Sequence, residues 1–168
     1  MTIITSVIGH VSELKASKEI DPLELTSDER ASPHFAATTR SGREIRISLP
    51  RGTELQDGDV LGFDDDTAIV VKAKDEDLLF LKPGSDAIAW WAACYQLGNF
   101  HRPARFREDG VLTPNDPLAA QMLGRLGITV ERIHAPFVGR RFGAAGAHHH
   151  HDHHHEADGH HADRHHNH

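Results

Sequence analysis

The sequence predicts an α+β protein in three parts: an N-terminal all-β region, a ferredoxin-like split βαβ region, and a disordered His-rich C-terminal tail. Three observations carry this. Over residues 1–74, short β-rich runs are punctuated by turn residues every 8–12 positions, which suggests a small antiparallel sandwich or barrel. Over residues 75–138 the signals run strand, helix, strand, strand, helix, strand. From 139 the chain becomes a Gly/Ala linker and then little but His, Asp and Ala up to residue 168, a composition that cannot bury apolar surface.

Each element has its own justification. "TIITSVIGHV" is rich in β-branched residues and opens as a strand. Ser41-Gly42 marks a turn, after which Ile45, Ile47 and Leu49 alternate with Arg46 and Ser48, the period of a strand with one buried face. Asp57-Gly58 is a turn, Val60 to Phe63 a short strand, Asp64 to Asp66 an acidic turn, and Ala68 to Val71 another strand. "TSDERASPH" reads as a polar loop. "DLLFLKP" is a strand closed by Pro83-Gly84, and Ser85 or Asp86 offers an N-cap for a helix through "AIAWWAACYQLGN". Ile88, Trp91, Ala92 and Tyr95 fall on one face of it. Trp90 and Trp91 lie about 100° apart around the axis, so one of the two is expected at the surface, available to a dimer or partner. "ARF" and "VLTP" flank the turn "REDG" as a hairpin. "NDPLAAQMLGRLG" is a helix capped at Asn115 or Asp116, with Pro117 in its first turn and Gly127 ending it. Leu118, Met122 and Leu126 are its expected buried stripe. "ITVERIHAPF" is the last strand.

The bulk numbers exclude several function classes. The formal charge is -7 with histidines neutral, which argues against a nucleic-acid partner. No run approaches the ~20 apolar residues of a membrane span. The N-terminus lacks the basic flank of a signal peptide. The single cysteine, Cys94, excludes an internal disulfide and a Cys-rich metal site and fits a reducing compartment, so the expected location is the cytoplasm. Cys94 itself reads as packed beside Trp90, Trp91 and Tyr95. The acidic run Asp64–Asp66 lacks EF-hand spacing, and no phosphate loop, G-x-S-x-G elbow or H-E-x-x-H motif occurs. The expectation is a non-enzyme.

The tail, "AHHHHDHHHEADGHHADRHHNH", holds twelve of the sixteen histidines: His148, His149, His150, His151, His153, His154, His155, His160, His161, His165, His166 and His168. Acidic residues interrupt it, so it reads as encoded sequence rather than an added tag. Imidazole suits nickel, copper, zinc and cobalt and matches magnesium or calcium poorly. A tail of this kind gathers several exchangeable ions. It does not specify the metal, and zinc or copper compete with nickel for such sites.

Outside the tail there are four histidines. His10, His34 and His134 lie in or beside strands and read as surface or packing residues. His101 follows a helix stop in "YQLGNFH", where a loop presents its side chain.

The segment Tyr95 to Pro103, "YQLGNFHRP", resembles the Y-x-L-G-N-R-H-type signature of the UreE family of urease accessory proteins, with Phe100 in place of the family's Arg. "LPRGTELQDGDVL" and "LGITVERIHAPFVG" resemble two further family stretches, and the His-rich C-terminus is common there; together the resemblance spans roughly Ile3 to Phe137. It implies a peptide-binding-like N-terminal domain (1–74), a ferredoxin-like metal-binding domain (75–138) and a linker with tail (139–168). It also implies a homodimer through the second domain, with His101 of each subunit meeting at the interface as a nickel ligand. The expected task is nickel delivery to the urease apoprotein and its accessory GTPase complex. Two-fold symmetry doubles a lone histidine, and the tail supplies the remaining ligands. "FREDGVLTPNDPLA" has no histidine, so no second ordered body site is expected. The alternative is a general transition-metal buffer without a dedicated client.

Overall fold

The computed structural model describes residues 2–141. The expected tail, with its twelve histidines, lies outside the described residues.

The N-terminal half forms two sheets. In the first, β1 (Thr2–Ile4), β5 (Glu44–Ser48) and β4 (His34–Thr38) lie in the order β1-β5-β4. In the second, β2 (Gly9–His10), β6 (Asp59–Asp64), β7 (Thr67–Ala73) and β3 (Glu19–Leu25) lie in the order β2-β6-β7-β3. Ile45 and Ile47 from one sheet, and Leu23, Leu25, Leu61, Ile69 and Val71 from the other, meet in one apolar core with Ile4, Leu49 and Leu55. The alternation read from Ile45, Ile47 and Leu49 is the inner face of this core. Pro22 sits in β3, an edge strand, where a missing N–H interrupts no ladder on the open side.

The pairing differs from the antiparallel arrangement expected. β1 runs parallel to β5 and β3 parallel to β7. Alternating apolar residues encode a buried face but not the partner strand. Each parallel pair here is separated by some forty residues of chain, long enough for the crossover that a parallel pair requires.

"TSDERASPH" also departs from expectation. Ser27–Ala31 forms a short helix, α1, closed by a capping box in which Thr26 and Glu29 satisfy each other's backbone N–H groups. The T-x-x-E spacing was the available signal.

The C-terminal half is one antiparallel sheet carrying two helices. β8 (Asp75–Lys82), β9 (Arg105–Arg107), β10 (Gly110–Pro114) and β11 (Thr129–Pro136) lie in the order β11-β8-β10-β9. α2 (Ala87–Asn99) connects β8 to β9, and α3 (Pro117–Arg125) connects β10 to β11. The side chains of Asp86 and Asp116 accept backbone N–H groups at the starts of α2 and α3. Leu79, Leu81 and Val111 pack against Ala93, Leu97, Ala119 and Leu123 of the helices. Leu78, Phe80 and Leu112 form a second cluster with Phe137. Leu78 to Leu81 are buried consecutively, as in a central strand covered on both faces.

Helix α3 turns a different face inward from the one the spacing suggested, while on α2 the spacing grouped a face without giving its direction. On α3 the buried residues are Ala119 and Leu123; Met122 and Leu126 are half-buried, and Leu118 is 64% exposed. On α2 the buried residues are Ala93 and Leu97, supported by half-buried Ala89, Trp90 and Cys94. Among the described residues, no helix is long and apolar enough to cross a membrane.

Candidate functional site

Helix α2 ends at Asn99, Phe100 caps it, and His101 takes a left-handed backbone (φ 51°). Histidine is among the few non-glycine residues found there with some frequency, and the conformation ends the helix by turning the chain outward. The His101 N–H donates to Gly98 O at 3.0 Å. Its side chain is exposed. Among the described residues the imidazole has no hydrogen-bond partner, so its donor atoms remain open to a ligand. Phe100 is half-buried and packs on the core of the C-terminal half, which anchors the loop from beneath. Pro103 O then accepts the buried Thr113 hydroxyl at 3.0 Å, fixing the exit of the loop.

The other body histidines are occupied differently. His10 Nδ1 pairs with Ser12 Oγ at 2.8 Å and its Nε2 lies 3.3 Å from Asp57 O, so it serves as a cap and a brace. His34 is exposed on β4. His134 Nδ1 pairs with Asp77 Oδ1 at 2.8 Å across the β11–β8 ladder. Arg132 shares the shallow pocket beside that pair, and its charge disfavours a cation there. Among the described residues, no three His, Cys, Asp or Glu side chains gather into a metal site. His101 therefore offers one donor, and any complete sphere draws the rest from beyond the described chain. Every tail histidine, from His148 to His168, lies outside the described residues.

The helix that leads into the loop, α2, presents an uncovered apolar face along its length: Ile88 is 77%, Trp91 67% and Tyr95 71% exposed. These are three of the four residues whose spacing had placed them together; Ala92 is exposed with them. Of the adjacent tryptophans, Trp90 is packed and Trp91 is free, as helix geometry demands. Cys94 is half-buried, and burial pushes its thiol pKa up.

Sequence reasoning missed a polar junction between the two halves. Arg30 is 1% exposed, and its Nη2 donates to Phe137 O at 2.6 Å. Burial lowers its pKa, and the nearby carboxylates of Glu76, Glu54 and Asp57 oppose that shift. Ser27 donates to Glu76 through both its N–H (2.7 Å) and its hydroxyl (2.9 Å). Arg141 donates to Glu54 and to Asp28, each at 3.1 Å. No periodicity marks these residues, because their partners are up to 113 positions away.

Fold and loop together define a class: a two-part α+β scaffold that presents an exposed imidazole at the end of a helix with an uncovered apolar face. Comparison with known proteins makes this particular. The family model for the UreE urease accessory protein N-terminal domain matches residues 4–74, and that for its C-terminal domain matches residues 76–168. The chain belongs to the UreE family of urease accessory proteins. It is 39% identical to the urease accessory protein UreE of Paraburkholderia xenovorans (strain LB400) over 133 residues, which cover 79% of this chain and 59% of the relative. It is 41% identical to the protein of the same name from Burkholderia thailandensis over 128 residues, covering 76% of this chain and 60% of the relative. The chain thus spans about three fifths of the length of the curated relatives it matches.

Proposed function

We propose that this protein is a nickel metallochaperone that delivers nickel for assembly of the urease active site. The observation that carries this reading is the position of His101: an open imidazole at the end of the helix whose exposed face holds Ile88, Trp91 and Tyr95. A homodimer formed over that face brings two copies of His101 toward one axis, and a two-fold axis turns a single donor into a pair. Tail histidines and carboxylates complete the coordination and collect further ions. Transfer is then ligand exchange, with no covalent step. The C-terminal half reads as a ferredoxin-like metal-binding domain (75–138), the N-terminal half (1–74) as a peptide-binding-like domain, and 139–168 as linker and tail. The recipients are the urease apoprotein and its accessory GTPase complex, in the cytoplasm.

The test is a nickel and zinc titration of the wild type, His101→Ala and a chain truncated after Gly146, with oligomeric state followed by sedimentation. The His101 substitution is expected to remove the tightest site, and truncation to lower stoichiometry while sparing that site. Unchanged stoichiometry after truncation rejects the role of the tail. Tail composition equally favours a general nickel, zinc or copper buffer. Co-purification with the urease apoprotein separates the two, since a buffer has no client.

A further inference from the structure

After β11 the chain forms part of a cleft. Phe137 is buried, and its carbonyl accepts Arg30 Nη2 at 2.6 Å. Three residues on, Arg140 exchanges two backbone hydrogen bonds with Ala104: Ala104 N donates to Arg140 O at 2.9 Å, and Arg140 N to Ala104 O at 3.1 Å. Gly139 between them has no room for a side chain, because a Cβ there would lie 2.2 Å from Phe137 Cζ and 2.9 Å from Ala104 O. Residues 138–140 are thus pinned at both ends and pressed onto the body. The cleft is lined by these residues, by Arg105 and Phe106 of the edge strand β9, and by Gln56 of the N-terminal half. Its volume is about 400 Å³, within the range of ligand pockets. A wall held this firmly is in place before any ligand arrives, which lowers the cost of binding.

The chemistry of the cleft has two sides. Phe106 and Val138 are both exposed, so apolar surface lines it. Every charged side chain that lines it is an arginine, Arg105 or Arg140, although the chain as a whole carries a formal charge of -7. Among the described residues Arg105 makes no ion pair. A local cation beside apolar surface attracts a ligand that brings a carboxylate and an apolar side chain together. A polyanion such as nucleic acid fits less well. The adjoining β9–β10 turn carries Glu108 and Asp109, and Asp109 already neutralises Arg107 at 2.8 Å. An inorganic anion leaves Phe106 and Val138 in water. We propose that this cleft docks an acidic, extended segment of a partner protein, with one carboxylate on Arg105, a second toward Arg140 and an apolar side chain against Phe106 and Val138. The inference goes beyond the nickel reading and does not depend on it, since no His, Cys, Asp or Glu lines the cleft.

The experiment is fluorescence anisotropy on the full-length, metal-free chain, with a labelled Gly/Ser peptide in which two glutamates flank a leucine. Saturable binding below about 1 mM is expected. Arg105→Glu should weaken it by about tenfold or more, and Phe106→Ser by about three- to tenfold. Arg46→Glu makes the same charge change at an exposed position of β5 and should leave affinity within about twofold. With the wild-type chain, glutamines in place of the two glutamates should weaken the peptide by about tenfold, a comparison that needs no protein variant. Absence of saturable binding overturns the proposal, as do equal losses from Arg105→Glu and Arg46→Glu. A labelled single-stranded oligonucleotide that binds more tightly than the peptide, and loses that binding in Arg105→Glu, overturns it in favour of nucleic acid. A gain of about tenfold or more on truncation after Gly146 also overturns it, because the chain's own C-terminus is then the occupant.

Discussion

At the scale of single residues, His101 combines two demands, a left-handed backbone and an open donor. Replacement by alanine removes the donor and leaves a less tolerant residue at φ 51°, a cost of about 1 kcal/mol. Asparagine accepts that conformation better. His101→Asn should therefore unfold closer to wild type than His101→Ala, as thermal melts of the metal-free proteins will show. Asp21 is 4% exposed and joins the two N-terminal sheets. It accepts the hydroxyls of Thr39 (2.6 Å) and Ser41 (2.5 Å) and the Ser41 N–H (3.0 Å), with Arg43 nearby. Burial alone raises its pKa, but the Ser41 and Thr39 bonds and the Arg43 charge outweigh it, and the net value falls below the ordinary 3.8. A depressed carboxylate stabilises the fold above its unfolded pKa. That contribution declines as pH drops below about 3.8 and is lost through the folded value. Asp21→Asn should flatten the acid limb of stability against pH, measured by denaturant unfolding between pH 5 and 2. Cys94 has its thiol pKa raised by burial, so it should react with a maleimide more slowly than a free thiol at pH 7.5.

Elements show where spacing alone misleads. Leu118, Met122 and Leu126 recur at a helical interval, yet α3 buries the adjacent stripe of Ala119 and Leu123. Leu123→Ala should cost about 2–5 kcal/mol, whereas Leu118→Ala should cost well under 1 kcal/mol by urea denaturation. The reverse result would mean that Leu118 is covered, as by a second subunit. On α2 the interval was right for the face and silent about its direction. Trp91→Glu places a charge in the uncovered face of Ile88, Trp91 and Tyr95, and sedimentation should then show monomer if that face holds the dimer. The capping box of α1 was readable in "TSDE", but five residues between polar neighbours resemble a loop until Ser27 and Arg30 are seen to be buried.

For the whole molecule, the two halves meet through charged and polar groups. Arg30 is buried between them with Nη2 on Phe137 O and Nε without a partner. Arg30→Ala strips the counter-charge from the surrounding carboxylates and should destabilise by about 3–5 kcal/mol; Arg30→Met, which fills the same volume without charge, should cost less. Local signals in the chain were enough to read the succession of elements from β8 to β11, a cap at Ser85 or Asp86 and another at Asn115 or Asp116, the loop position of His101 and the family motifs, because periodicity, caps and turns are local; the structure then chose Asp86 and Asp116. Helix geometry also required that one of Trp90 and Trp91 face outward. The parallel pairing of β1 with β5 and β3 with β7, the inward faces of α2 and α3, and the junction around Arg30 and Asp28 emerge from long-range contacts. Those depend on partners brought together from distant parts of the chain, and a side chain's own neighbours in sequence carry no record of which distant carboxylate or strand it will meet.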